Sequence, residues 1–465
     1  MKSYDAIFIG AGQSGPFLAA RMSEKGMNVA LIERKFLGGT CVNAGCMPTK
    51  TLVASARAAH VARRGGDYGV KIAGKIEIDM MIVRQRAETV TMNARNGLIS
   101  WLGSMDTMDV IYGQARFAGP KTVMVNGEML SAPQIFLNVG ARPVIPDFPG
   151  IEDIDYLTST SIIHLDTLPR HLAVIGGSYI GLEFAQMYRR FGAEVTIIER
   201  GPKLASREDE DISDAIAQIL GAEGIAVHTQ ADRIAFAKNG DVVAVSTGDG
   251  KPVIEASHVL IATGRRPNTD DLGLDAAGVL TDKRGYITVD DRLMTNVEGI
   301  FALGDCNGRG AFTHTSYNDF EIAAANLIDG GDRKVSSRIP AYALYIDPPL
   351  GRVGMTEKEA RASGKNIMVS SRPMSRVGRA SERGETMGFM KIVAEVESKR
   401  ILGAAILGIE GDEAIHGIID AMNAGTTYPA LQWSVPIHPT VSELIPTVLG
   451  DLKAVEKFPS APERS

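Results

Sequence analysis

The chain has 465 residues, of which 45% are apolar and 22% charged, and its formal net charge is −6. This length suggests about three domains, and the composition is typical of globular rather than disordered proteins. The acidic balance argues against a nucleic-acid partner. No apolar run approaches the roughly 18 residues of a membrane span. The N-terminus does not resemble a signal peptide, and three cysteines do not make a disulfide scaffold, so we expect a cytoplasmic location.

A strand, a glycine-rich turn, a helix and a second strand open the chain. Strands are predicted at 4–9 and 28–32 and a helix at 16–25, and Glu33 follows the second strand. In a dinucleotide-binding turn the first glycine makes the turn, the second lets a pyrophosphate approach and the third lets helix and strand pack closely. An acid about 20 residues on bonds a ribose hydroxyl. The corresponding glycines are Gly10, Gly12 and Gly15.

The same pattern recurs further along the chain. Strands at 172–175 and 194–198 flank a helix at 182–191, and Glu199 follows the second strand. The first glycine, the third glycine and the acid each lie 166 residues after their counterparts. This repeat predicts two dinucleotide-binding βαβ units. The second turn contains Gly176, Ser178 and Gly181, with the small Ser178 in place of the middle glycine.

Two cysteines five positions apart follow the first unit. Cys41 and Cys46 belong to the segment GGTCVNAGCMPTK, residues 38–50. Pro48 suits the first turn of a helix, which would put Cys46 at a helix N-terminus, where the dipole stabilises a thiolate. A zinc site needs further Cys or His ligands at short spacing, and none lies nearby. The pair is predicted to be redox-active; two buried structural cysteines are the alternative.

The remaining residues predict mixed α/β structure. Cys306 is predicted to be small and buried, and His314 to lie at a helix start, with either a structural role or a role near the cofactor. Four arginines at 372–383 predict a solvated loop or a steering patch for an anionic substrate. The predicted elements are helices at 50–64 and 79–102, strands at 108–138, a linker at 142–150, strands at 225–263, 366–370 and 388–407, helices at 412–425 and 440–453, and a frayed tail at 458–465.

These motifs resemble those of the flavoprotein pyridine nucleotide–disulfide oxidoreductases, which include glutathione reductase, dihydrolipoamide dehydrogenase and mercuric reductase. The resemblance covers nearly the whole chain and is most specific at residues 38–50. Three further segments agree with it, namely 262–268, 295–305 and 438–443. The resemblance implies an α/β fold with two Rossmann-like dinucleotide-binding domains and a C-terminal α+β dimerisation domain. It implies an FAD domain at 1–150 and 266–337, a nicotinamide domain at 151–265 and an interface domain at 338–465.

The resemblance also implies two cofactors, FAD and NADH or NADPH. FAD is expected at the first turn, Glu33 and Asp305, and the nicotinamide cofactor at the second turn and Glu199, with Tyr179 as a gate over the nicotinamide. An acid such as Glu199 favours NADH over NADPH, although Arg200 and Lys203 lie close by. Further residues expected at the cofactors are Gly39, Thr40, Lys50, Gly264, Arg265 and Gly304.

The catalytic roles follow from the same resemblance. Cys46 is expected to face the flavin and Cys41 to exchange with substrate. His438, oriented by Glu443, would serve as acid and base for Cys41 across the interface of a homodimer. An imidazole can serve both steps of thiol–disulfide exchange because it gains and loses a proton near neutral pH. Lys50 and Glu183 are expected to pair beside the flavin.

The substrate stays open at this stage. A small-molecule disulfide or thiol is favoured, whereas a mercuric-type reductase of metal ions is an alternative, even though no cysteine follows Cys306. A flavin NADH oxidase or quinone reductase would keep turnover after replacement of Cys41. A non-catalytic flavin-binding protein would bind FAD without being reduced by NADH.

Overall fold

A computed structural model of the chain describes residues 1–248 and 250–455. These residues form two compact units. The first comprises Met1–Asp147, Tyr156–Leu168 and Leu260–Arg338, and the second comprises Phe148–Asp155, Pro169–Val259 and the described residues from Ile339 onward. Within the described ranges, no helix is both long and apolar enough to cross a membrane. The predicted frayed tail lies outside the described residues, and the three domain boundaries stay a prediction.

A five-stranded parallel sheet forms the centre of the first unit. Its order is Ile300–Ala302, Gln134–Leu137, Ala6–Ile9, Val29–Glu33 and Met108–Tyr112. These strands are almost continuously apolar, as expected for a parallel sheet covered on both faces. Three aromatic rings stack across neighbouring strands, with centroids 4.6 Å apart between Phe8 and Phe136 and 5.0 Å apart between Phe136 and Phe301.

The other elements of the first unit surround this sheet in sequence. Its helices are Gly15–Glu24, Gly39–Asn43, Cys46–Arg63, Met80–Gly103, Leu274–Ala277 and Thr313–Leu327, with 3₁₀ turns at Arg64–Tyr68, Ile162–His164, Gly304–Asn307 and Val335–Ser337. Its other strands are Lys2–Ser3, Arg116–Gly119, Thr122–Val125, Glu128–Ser131, Ala141–Pro143, Leu157–Thr158 and Arg265–Pro267. The strand His258–Ile261 contains a boundary between the two units.

The second unit repeats the start of the first. Strands His171–Ile175, Glu194–Ile198 and Ala226–His228 pair in parallel. The register joins Leu172 to Val195, which repeats the pairing of Ala6 with Val29 at an offset of 166 residues. The predicted internal repeat and the predicted α/β fold class are therefore confirmed.

The rest of the second unit is dominated by antiparallel strands. A three-stranded sheet contains Ala235–Asn239, Val242–Ser246 and Ile254–Ala256. A six-stranded sheet has the order Ala341–Leu344, Leu350–Gly354, Ile401–Leu407, Phe389–Glu395, Ile367–Pro373 and Lys453–Ala454. The helices are Tyr179–Phe191, Glu210–Ala222, Glu357–Ala362, Gly378–Glu382, Gly411–Ala414, His416–Asn423, Tyr428–Gln432 and Ile445–Gly450, with 3₁₀ turns at Ile151–Asp153, Met374–Arg376 and Ser442–Leu444.

Three predicted elements differ from the structure. The helix predicted at 50–64 begins at Cys46, because Gly45 has a non-helical backbone and acts as the N-cap. The helix predicted at 440–453 is reduced to a 3₁₀ turn and Ile445–Gly450, and the chain then enters an edge strand. Part of the predicted linker is the strand Ala141–Pro143, which pairs with Arg265–Pro267.

Candidate functional site

The first glycine-rich turn is closed by the acid at the end of the second strand. Glu33 accepts hydrogen bonds from the backbone N–H of Ala11 at 2.9 Å and of Lys35 at 2.8 Å. Gly10 has a φ of +92°, and a Cβ there would lie 2.4 Å from the carbonyl oxygen of Asn138. The turn therefore requires a residue without a side chain at this position.

The second turn is closed in the same way. Glu199 accepts from the N–H of Gly177 at 2.6 Å and of Gly201 at 2.5 Å, and both donors lie 166 residues after those of the first turn. A Cβ at Gly181 would lie 2.0 Å from the carbonyl oxygen of Gly176, so close helix–strand packing explains this glycine. Ser178 is exposed and precedes the helix Tyr179–Phe191.

Asn138 supports the first turn and was missed by sequence reasoning. Its Oδ1 accepts from the N–H of Gly15 at 3.0 Å, and its Nδ2 donates to the carbonyl of Leu303 at 2.9 Å. It thus joins the turn to the segment that carries Asp305. Asp319 holds the same segment, because it accepts from the N–H of Gly304 at 2.8 Å. The only sequence signal was position, since Asn138 follows a strand at the carboxyl edge of the parallel sheet.

Several predicted cofactor residues of the first unit lie close to one another. A Cβ on Gly39 would lie 2.9 Å from the Cα of Gly12. Arg265 donates to Thr40 Oγ1 at 3.5 Å and lies 3.8 Å from Asp305. Burial raises the pKa of Asp305, and Arg265 opposes that shift. Gly264 has a φ of +133° and accepts from the N–H of Val144 at 3.0 Å.

The first unit therefore has features that fit a bound dinucleotide. A cavity of about 230 Å³ borders the first turn, and the turn leaves no room for a Cβ at its glycines. The helix Gly15–Glu24 begins at this turn, so its N-terminal dipole favours a pyrophosphate. The cavity is lined by Gly12, Gln13, Pro16, Phe17, Val42, Ala94 and Leu98.

The two cysteines are free thiols at the junction of two helices. Cys41 lies in the helix Gly39–Asn43 and Cys46 is the first residue of Cys46–Arg63. Cys46 is exposed, and its Sγ lies 3.1 Å from Thr313 Oγ1. Thr313 begins the helix Thr313–Leu327, and its contact with a cysteine was not anticipated from the sequence.

The two thiols have very different acidities. A hydrogen bond from Cys41, with support from Thr313 and the charge of Lys50, lowers the pKa of Cys46 to about 6. The same hydrogen bond, together with burial, raises the pKa of Cys41. Cys46 is therefore the thiolate and Cys41 the thiol that donates to it, as the helix N-terminus also favours.

Removing the Thr313 hydroxyl is expected to make Cys46 less acidic. In Thr313→Val the pKa of Cys46 should rise by about one pH unit, since this hydroxyl stabilises the thiolate and one pKa unit corresponds to about 1.4 kcal/mol. Thiolate ultraviolet absorbance of the dithiol form during a pH titration measures the shift. Thr89→Val, on the helix Met80–Gly103, is the control, and an unchanged titration in Thr313→Val would contradict the assignment.

His438 and Glu443 form the predicted dyad. His438 Nδ1 lies 2.8 Å from Glu443 Oε2, and the imidazole is 81% exposed. Arg379 donates to the carbonyl of Pro439 at 2.6 Å, so this residue of the predicted solvated loop supports the dyad segment. The outer nitrogen of the imidazole faces away from the carboxylate that fixes its tautomer.

Large apolar side chains are exposed next to the dyad. The exposed fractions are 82% for Trp433, 96% for Val435 and 79% for Ile437. Exposed apolar clusters of this kind mark interaction surfaces. The dyad therefore lies beside a surface suited to a partner chain.

Other predicted residues occupy the following places. Lys50 lies in the first unit, whereas Glu183 lies in the second, where it accepts from the N–H of Tyr345 at 2.9 Å; their pairing stays a prediction. Tyr179 donates to Glu208 at 2.8 Å. Cys306 is fully buried, as expected, and the His314 ring stacks on Phe312 with centroids 5.4 Å apart.

Comparison with family models identifies two matching regions. Residues 4–319 match "Pyridine nucleotide-disulphide oxidoreductase", and residues 340–449 match the dimerisation domain of the same group. Together these regions contain both turns, the cysteine pair and the dyad.

Three relatives illustrate the range of similar proteins. A probable pyridine nucleotide-disulfide oxidoreductase RclA of Escherichia coli is 37% identical, over 95% of this chain and 98% of the relative. A mercuric reductase of Lysinibacillus sphaericus is 33% identical, over 95% and 81%. A dihydrolipoyl dehydrogenase of Thermus scotoductus is 33% identical, over 95% and 96%.

A solved structure is similar over almost its whole length. It is described as the Cu(II) complex of the HOCl-induced flavoprotein disulfide reductase RclA from Escherichia coli. Its TM-score is 0.89 with 35% identity, and the match covers 97% of this chain and 99% of that one.

Proposed function

The chain belongs to the pyridine nucleotide–disulphide oxidoreductases and is an FAD-dependent flavoprotein disulfide reductase, and from this premise we propose that it uses NADH to reduce a small-molecule disulfide through Cys41 and Cys46. The observation that carries the proposal is the thiol–thiolate pair, with the pKa of Cys46 lowered to about 6 and that of Cys41 raised. Free thiols of this kind persist in the cytoplasm, which we propose as the location.

The two thiols have separate tasks in this proposal. When bound, FAD supplies the relay between a hydride donor and a disulfide. Cys41, deprotonated by His438, attacks one sulfur of the substrate disulfide and forms a mixed disulfide, while His438 returns the proton to the departing thiol. The Cys46 thiolate then attacks the Cys41 sulfur and releases the second substrate thiol, which leaves a Cys41–Cys46 disulfide. Electrons from NADH restore the dithiol.

We propose that the functional form is a homodimer. The imidazole of His438 is 81% exposed, so its own chain leaves room for a second chain to approach it. The exposed Trp433, Val435 and Ile437 supply an apolar surface for that contact. In this arrangement His438 serves Cys41 of the other subunit.

An experiment with purified enzyme tests the function. NADH should reduce the bound flavin anaerobically, and the reduced enzyme should then convert lipoamide or glutathione disulfide to its thiols in proportion to NADH consumed. If the flavin is reduced but no disulfide accelerates NADH consumption, a disulfide substrate is excluded in favour of another acceptor.

The preference for NADH rests on the second turn. Glu199 sits where a ribose hydroxyl is bound, and its negative charge repels a 2′-phosphate. Lys203 is paired with Glu210 at 2.7 Å and Asp214 at 2.9 Å, so its charge is already balanced. Arg200 is exposed next to Glu199 but lies beside that carboxylate.

Neutralising Glu199 is expected to weaken this preference. Glu199→Gln should lower the ratio of kcat/KM for NADH to that for NADPH by roughly tenfold, which is about 1.4 kcal/mol. Steady-state kinetics with both nucleotides measure the ratio. Glu194→Gln, an exposed acid at the start of the same strand, should leave it unchanged; a wild-type preference for NADPH would overturn the assignment.

A metal ion is the second candidate substrate. A similar structure is titled as a Cu(II) complex, and mercuric reductases are among the relatives. The exposed Cys46 beside Cys41 is a soft dithiol of the kind that such ions prefer. NADH consumption that depends on Cu²⁺ or Hg²⁺, and not on disulfides, would favour this candidate.

A further inference from the structure

Two tyrosines of the second unit share one carboxylate oxygen. The hydroxyl of Tyr179 donates to Glu208 Oε1 at 2.8 Å, and the hydroxyl of Tyr342 donates to the same oxygen at 2.7 Å. Their ring centroids lie 5.5 Å apart. Nothing in the redox chemistry of the cysteines or in the nucleotide turns requires this cluster.

Glu208 is held rigidly from the side opposite the tyrosines. Its side chain is 0% exposed, and Arg352 Nη1 lies 3.9 Å from its Oε2, which accepts no hydrogen bond from the described residues. The neighbouring Asp209 accepts from the N–H of Glu357 at 2.9 Å and of Lys358 at 3.0 Å. These contacts fix the carboxylate of Glu208 relative to the six-stranded sheet and its helices.

Tyr179 is the movable member of the cluster. It is the first residue of the helix Tyr179–Phe191, directly after the exposed Ser178. Tyr342, in contrast, lies within the strand Ala341–Leu344 of the six-stranded sheet. A displacement of the Tyr179 ring therefore breaks one hydrogen bond to Glu208 and leaves the other in place.

We propose that Glu208 is a positioning residue that latches Tyr179 in its closed position, and that this latch sets the affinity for the nicotinamide dinucleotide. The inference rests on the proposed function, in which Tyr179 covers the nicotinamide position. The ring must leave before a nicotinamide can enter, so each binding event breaks the bond from Tyr179 to Glu208. Tyr342 keeps the buried carboxylate hydrogen-bonded while the gate is open.

The latch predicts opposite effects for two substitutions. Glu208→Gln replaces a charged acceptor by a neutral one and weakens the bond to Tyr179, so NAD⁺ should bind roughly three- to tenfold more tightly. Tyr342→Phe leaves an open gate with a buried carboxylate that no hydroxyl satisfies. Opening is then less favourable, and NAD⁺ should bind roughly threefold more weakly.

Isothermal titration calorimetry of the oxidised holoenzyme with NAD⁺ measures these affinities, and stopped-flow reduction of the flavin by NADH gives the matching rates. Tyr428→Phe removes a hydroxyl from another tyrosine of the second unit and should change neither. In a Tyr179→Phe background, which lacks the latching hydroxyl, Glu208→Gln should have no further effect on NAD⁺ affinity.

The outcomes separate the latch from the gate. A purely structural role predicts that Glu208→Gln and Tyr342→Phe both weaken binding and lower the Tm, and effects of the same sign would overturn the latch. Additive effects of Tyr179→Phe and Glu208→Gln would do the same. If Tyr179→Ala, which removes the ring altogether, leaves NAD⁺ affinity and the reduction rate unchanged, then the gate of the proposed function fails instead.

Discussion

Cys41→Ser is expected to lower disulfide reductase activity by at least about 10³-fold, because a serine hydroxyl cannot replace the attacking thiolate or form the mixed disulfide. The Cys46 thiolate and the nucleotide turns remain intact, so anaerobic reduction of the flavin by NADH should persist. Steady-state NADH consumption with lipoamide or glutathione disulfide, set beside an anaerobic NADH titration, measures the two effects separately.

The matched controls for this prediction are the other two cysteines. Cys46→Ser should abolish disulfide turnover as well, because no second thiol then resolves the mixed disulfide. Cys306→Ala removes a fully buried thiol and should retain activity. NADH turnover with oxygen or a quinone that survives Cys41→Ser at the wild-type rate would instead favour the oxidase or quinone-reductase alternative.

The nucleotide turns could be predicted from sequence because each of their parts is local. A glycine, a helix start and a terminal acid lie within about 25 residues, and the geometry of one βαβ unit brings them together. The structure extends the repeat to hydrogen bonds, since the N–H donors to Glu33 and Glu199 also differ by 166 positions. The acidity of Cys46 was anticipated in the same way, from a helix that begins at the cysteine.

The supporting residues could not be predicted because their contacts span long distances in sequence. Asn138 bonds to Ser14 across 124 positions, and Glu208 bonds to Tyr342 across 134. Neither asparagine nor glutamate belongs to a local motif at these positions. Thr313 is a similar case, since only the fold brings its hydroxyl to Cys46 across 267 positions.

His438→Gln is expected to lower kcat for disulfide reduction by about 10²- to 10⁴-fold, the usual range for loss of a general acid–base group. Flavin reduction by NADH should keep its wild-type rate, because His438 acts only on the exchange between Cys41 and substrate. Glu443→Gln should lower kcat less, since it removes only the carboxylate that holds Nδ1 at 2.8 Å. His416→Gln, on another helix of the same unit, serves as the control.

Mixing two inactive variants tests whether His438 serves the other subunit. In a twofold-symmetric dimer of one Cys41→Ser chain and one His438→Gln chain, one site combines both substitutions and the other has neither. Random exchange of subunits should then restore about a quarter of the wild-type sites. If His438 served Cys41 of its own chain, every site would keep one substitution and mixing would restore nothing. Recovered activity therefore establishes both the dimer and the crossing of its interface by the acid–base group.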